Sequence, residues 1–161
     1  MASASDRLAE LGLELPPVAA PVAAYVPALP VGDLVYTSGQ LPTVAGRLIA
    51  TGKVGDGVST DTAVRCARTA VLNALAAVSD QAGGVDEIAR IIRVVVFVAS
   101  APDFTDQAIV ANGASQLLGD VFGDAGRHVR SAVGVAVLPL DAPVEVELVV
   151  QVVTRPSMIP V

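Results

Sequence analysis

Residues 60–84 constrain the fold of this chain more than any other stretch. Val64, Ala67, Val71, Leu75 and Val78 recur at spacings of three and four, so they share one face of an α-helix. Thr60 or Asp61 can cap its start, and Gly83-Gly84 ends it after about residue 81. An apolar stripe of that length must be buried against another layer. Residues 88–100 read as a strand, nearly continuous in Ile and Val after Arg90. Pro102-Asp103 opens a second helix that runs through Val110 and Leu117 to about Phe122, where Gly123 and Gly126 break it. Residues 128–138 and 144–154 read as strands joined by a turn over 139–143. Upstream, residues 31–38 form a strand and residues 43–49 pair with it, with Gly46 in the turn. Gly52, Gly55 and Gly57 make residues 50–60 a loop.

The first 24 residues read as an extension. A short helix over 3–13, capped by Ser3 or Ser5, has Leu8, Leu11 and Leu13 as its apolar side. Pro16, Pro17, Pro21, Pro27 and Pro30 then forbid regular helix. The order is two strands, helix, strand, helix, two strands. That order describes a single α+β domain over residues 1–161, with both long helices free to cover one face of a sheet.

Hydrophobic residues make up 53% of the chain and charged ones 16%, which excludes disorder. So few charges leave part of the apolar surface to be buried between subunits, and an oligomer is expected. No apolar run reaches the roughly 18 residues of a membrane span. No secretory signal is visible, and the one cysteine, Cys66, has no internal disulfide partner, so a cytoplasmic location is expected. The net charge is −6, with no Trp and scattered Lys and Arg, so no nucleic acid is expected as a partner.

Most catalytic signatures are absent. One Cys and one His do not compose a zinc site, and no cofactor motif is present. Cys66 falls on the core side of the long helix and reads as a structural thiol. His128 has no acid or nucleophile near it in sequence. Arg130 is different, because it heads an apolar strand with little other charge nearby. A cation beside a core must stay hydrated or paired. Glu145, on the strand expected to oppose it, shares a face with Glu147. A structural salt bridge between Arg130 and Glu145, or simple exposure to solvent, accounts for both residues without any function.

The segments around these residues resemble the RidA (YjgF) family. The run from Arg130 through Leu138-Pro139, followed by Val144-Glu145-Val146-Glu147, is similar to that family's C-terminal signature. Tyr25-Val26 and the run from Leu34 to Pro42 resemble its first active-site strand. Ala67-Arg68 with Leu72-Asn73 resembles its first helix. Arg93 to Val98 with Asp103-Phe104 resembles its central strand and second helix. The resemblance implies a chorismate-mutase-like fold, with a mixed sheet covered on one face by two helices. It also implies a homotrimer with sites between subunits, and cofactor-free hydrolysis of 2-imino acids or enamines to 2-keto acids and ammonia. By the same resemblance, Arg130 holds the substrate carboxylate and Glu145 positions water. Tyr25, Ser38 and Asn112 line the cleft, with Ser131, Ala132 and His128 as further substrate contacts. Ala132 stands where many members have Cys, His128 where a small residue or Pro is usual, and Gly134 where an acid is common. With the longer second helix, these departures describe a divergent subgroup. Two other functions fit the resemblance: a non-catalytic trimer that binds small carboxylates, and an endoribonuclease-like protein.

Overall fold

The computed structural model describes residues 2–21 and 24–153. Thr154, the expected end of the last strand, lies outside them. A short helix, α1 (Ala4–Glu10), comes first. Ser3 caps it in a reciprocal box with Asp6. Leu8 is buried, whereas Leu11, expected on the apolar side, is exposed. Ser5 ties the helix to the Asp86 carboxylate through its backbone N–H (2.8 Å) and its hydroxyl (2.7 Å).

The strand expected over 31–38 is instead a hairpin, β1 (Ala28–Val31) and β2 (Leu34–Thr37). Gly32 takes a left-handed φ of 63° and turns the chain. Pro30 sits in β1, which is an edge strand, where a missing N–H costs no ladder bond. Residues 43–49 do not pair with this hairpin. They form a small hairpin of their own, β3 (Thr43–Val44) and β4 (Arg47–Leu48), because both edges of β2 are already occupied. The Gly-rich loop holds one small ladder, β5 (Lys53–Val54) with β6 (Gly57–Val58).

The long helix, α2 (Thr60–Ala82), is capped by Ser59, one residue before the expected caps, through its hydroxyl to the Thr62 N–H. It ends at Gly83, whose φ is 89°. Ala67, Val71, Leu75 and Val78 are buried as expected. Ala63, Ala70, Ala74 and Ala77 are buried too, and these small side chains let α2 touch the sheet and the second long helix at once. The strand β7 (Ile88–Ala99) follows, then α3 (Gln107–Phe122). α3 starts five residues later than expected, after a turn in which the Phe104 N–H donates to the Ala101 carbonyl. A Cβ at Gly113 would overlap the Val64 carbonyl, so this glycine sets the close crossing of α3 on α2. The chain closes with β8 (Val129–Val135) and β9 (Val144–Val152).

The main sheet has the order β1-β2-β9-β7-β8. β8 runs parallel to β7, and β9 runs antiparallel to β7 on its other side. β8 and β9 are therefore not neighbours, which corrects the expected opposition of Arg130 and Glu145. Their connection crosses the end of β7 through a tight turn over Pro139–Asp141. Val94, Val96 and Val98 of β7, with Val144, Val146 and Leu148 of β9, form the face buried under α2 and α3. The opposite face has no helix over it among the described residues. It carries Leu29, Tyr36, Val129 and Val133, all exposed, beside Val95, Phe97 and Val149.

Candidate functional site

Pairing across the sheet decides which side chains can meet, because directly paired residues project to the same face. Arg130 pairs with Val94, and Val94 pairs with Leu148 on the helix-covered face. Glu145 pairs with Phe97 on the open face. Arg130 and Glu145 thus lie on opposite faces with β7 between their strands, so the salt bridge weighed from the sequence does not form.

Arg130 turns instead toward α3. Its Nη1 donates to Asn112 Oδ1 at 2.9 Å and to Ser115 Oγ at 3.1 Å, and its Nη2 donates to the Ala108 carbonyl at 3.3 Å. Ala108, Asn112 and Ser115 stand at i, i+4 and i+7, one stripe of a helix. His128 joins them, with Nε2 2.9 Å from Ser115 Oγ and Nδ1 2.6 Å from the Gly126 carbonyl. Ala132 shares the Arg130 face by pairing with Val96. Ser131 does not. It pairs with Val95 on the open face, and its hydroxyl accepts from Arg93 Nη2 at 3.3 Å. Of the residues singled out in the sequence, Arg130, Asn112, His128 and Ala132 therefore gather at the β8 edge, next to an unpaired strand border.

The others gather elsewhere. Tyr25, Gly39 and Gln40 line a cleft of about 410 Å³ whose outer wall is residues 16–21 of the Pro-rich extension. Ser38 holds the rim. Its hydroxyl donates to the Val26 carbonyl at 2.6 Å, and its N–H donates to the Pro27 carbonyl. Glu145 lies against Gly39, where a Cβ would overlap the carboxylate. Glu145 is half-buried, and its carboxyl is pushed above the ordinary range first by burial and then by the negative charge of Glu147. Such a carboxyl holds a proton more readily than an exposed one and suits proton exchange with a water. Asn73 is buried beneath this cleft and donates through Nδ2 to the carbonyls of Leu41 (2.8 Å) and Thr43 (3.0 Å). That buried amide fixes the β3–β4 hairpin to α2.

One chain thus carries two half-sites: a cationic one around Arg130, and the Glu145 carboxylate against Gly39, a residue that also lines the cleft with Tyr25. Sequence reading missed Ser115, Gly39 and the Ala108 carbonyl. Helical spacing from Asn112 gives Ser115, but only once the second helix is known to face Arg130. Among the described residues, no group of three His, Cys, Asp or Glu could hold a metal ion. No helix there is long and apolar enough to cross a membrane.

Residues 5–152 match the family model described as "YjgF/chorismate mutase-like, putative endoribonuclease". Protein TCP17 of Trypanosoma cruzi is 40% identical over 146 residues, covering 90% of this chain and 91% of that protein. A crystal structure of an Agrobacterium tumefaciens protein of unknown function is 42% identical and superimposes with a TM-score of 0.85, covering 93% of this chain and 92% of that one. Escherichia coli TdcF, solved with bound serine, is 27% identical with a TM-score of 0.61, covering 87% of this chain and 94% of that one.

Proposed function

This chain belongs to the YjgF/chorismate mutase-like family, and we propose that it hydrolyses reactive 2-imino acids, or their enamine tautomers, to 2-keto acids and ammonia. The observation that carries this reading is the Arg130 guanidinium. It has five N–H donors, of which three are spent on Asn112, Ser115 and Ala108. Among the described residues, the other two are left, the number a carboxylate fork requires. The serine bound by TdcF, itself a small carboxylate, supports a ligand of that class.

Water adds to the imine carbon, and the resulting carbinolamine expels ammonia once its nitrogen is protonated. Glu145, with its raised carboxyl, exchanges the proton with that water. Arg130 fixes the carbon by holding the neighbouring carboxylate. Orientation of this kind is worth up to roughly 7 kcal/mol or more without a strong base.

Arg130 and Glu145 belong together in this reaction, and they lie on opposite faces of one sheet. Hydrolysis therefore needs a second copy, in which Arg130 of one protomer faces Glu145, Tyr25 and the Ser38 rim of the next. A homotrimer meets this requirement, since a head-to-tail interface repeated in a ring gives identical clefts. The uncovered apolar face with Leu29, Tyr36 and Val133 supports burial between copies. The endoribonuclease in the family's description fits less well with a net charge of −6. The test is the decay of 2-iminobutanoate, generated in situ from its amino acid. Micromolar protein is expected to accelerate the decay. No acceleration, together with measurable binding of 2-oxobutanoate, would favour a carboxylate binder instead.

A further inference from the structure

The donors and acceptors behind Arg130 form an ordered chain. A carbonyl only accepts, so at 2.6 Å from the Gly126 oxygen the Nδ1 of His128 must carry the hydrogen. In the neutral ring Nε2 is then the acceptor that faces Ser115 Oγ at 2.9 Å. The Ser115 hydroxyl has one hydrogen. Donating it to Nε2 leaves its lone pairs for the Arg130 Nη1–H at 3.1 Å. Each hydrogen in the series has one acceptor, in the order Arg130, Ser115, His128, Gly126. The far end is rigid. Gly126 is buried, and a Cβ there would overlap the Leu118 carbonyl, so the loop is pressed against α3.

We propose that Ser115 and His128 are positioning residues that set the orientation of the Arg130 guanidinium through this relay, with His128 held as its Nδ1–H tautomer. The inference rests on Arg130 as the carboxylate anchor and changes the place of His128 in the site. His128 stands behind the arginine instead of touching substrate. Together with Asn112, the relay engages both Nη1 hydrogens. The carboxylate is then met by the Nε and Nη2 side of the guanidinium, with a fixed approach.

The chain has a single histidine, so nitrogen NMR of untagged, imidazole-labelled protein reads this ring without assignment. The expected spectrum shows a protonated Nδ1 and a bare Nε2, the reverse of the usual preference in water. A protonated Nε2 would overturn the relay. A second measurement uses 2-oxobutanoate as the carboxylate probe and 2-iminobutanoate as substrate. Ser115→Ala and His128→Ala are each expected to weaken binding and raise KM about tenfold, with kcat within about twofold, as fits the loss of one hydrogen bond. The double variant is expected to be no worse than Ser115→Ala, because the two residues act in series. His128→Gln, whose side-chain carbonyl can accept from Ser115, is expected to recover most of the loss. Wild-type binding in Ser115→Ala and His128→Ala, while Arg130→Ala abolishes it, would refute the relay and leave the anchor standing. Binding that survives Arg130→Ala would refute the anchor itself.

Discussion

Replacing Gly39 with Ala separates the chemistry proposed for Glu145 from the stability of the fold. A Cβ at position 39 would overlap the Glu145 carboxylate oxygen and would lie 2.6 Å from Cδ and 2.9 Å from Cγ. Non-bonded carbons rest at roughly 3.5–4.0 Å, so the carboxyl group must move by on the order of 1 Å. The atoms displaced are the end of a flexible side chain, and holding it off its rotamer costs about 0.5–1.5 kcal/mol. Gly39 is not among the glycines with positive φ, so Ala accepts its backbone and gains about 0.4–1 kcal/mol from a stiffer unfolded chain. The two contributions nearly cancel. A Tm change of no more than about 2–4 °C is expected for a chain of this size. The rate is affected differently, since a misplacement of about 1 Å at a reacting centre costs on the order of 10²-fold. Thermal unfolding and imine decay, measured on the same preparation, check both halves. Full activity with an unchanged Tm would refute the role given to Glu145. A Tm loss above about 10 °C would show that Gly39 is packed against more than a movable carboxylate.

Three further outcomes follow from buried or half-buried groups. Asn73→Ala removes the donor that satisfies the Leu41 and Thr43 carbonyls, and should destabilise the protein by about 2 kcal/mol or more. Unchanged urea unfolding would contradict that role. Burial pushes the Cys66 thiol up to about 11 against the opposing charge of Arg65, so native protein at pH 8 should resist alkylation and react only on unfolding. Rapid native labelling would mean that α2 opens locally. Glu145→Gln tests the raised carboxyl. Because the folded-state value lies above the unfolded one, the proton on Glu145 favours the fold at low pH, and that contribution is lost as pH rises through the folded value. The Gln variant keeps its neutral side chain, so its stability should gain on the wild type from acid to neutral pH while imine hydrolysis falls. A gap of the opposite sign would reject the reading.

Much of the fold was legible because its signals are periodic. The α2 stripe, the Ile and Val run of β7 and the glycines ending both long helices each fix an element locally. The hairpin over 28–37 was not legible as such, because the run from Val31 to Ser38 conceals a turn at Gly32 that only its left-handed φ reveals. The separation of Arg130 from Glu145 was hidden for a different reason. A strand's period tells which residues share a face, but not which strand lies beside which, and β7 inserts between the two. The same gap hid Ser115 and Gly39, whose places follow from packing of α3 on β8 and of β9 over the Ser38 rim.

In the proposed enzyme, Arg130 and Glu145 of different protomers complete one cleft. Arg130→Ala and Glu145→Gln, each expected to be inactive alone, are unfolded together one to one and reassembled. In a head-to-tail ring, random mixing leaves about a quarter of clefts with both residues intact. Recovery of imine hydrolysis to about a quarter of the wild-type rate is expected in the mixed oligomers. Oligomers that mix by native mass spectrometry but stay inactive would contradict it.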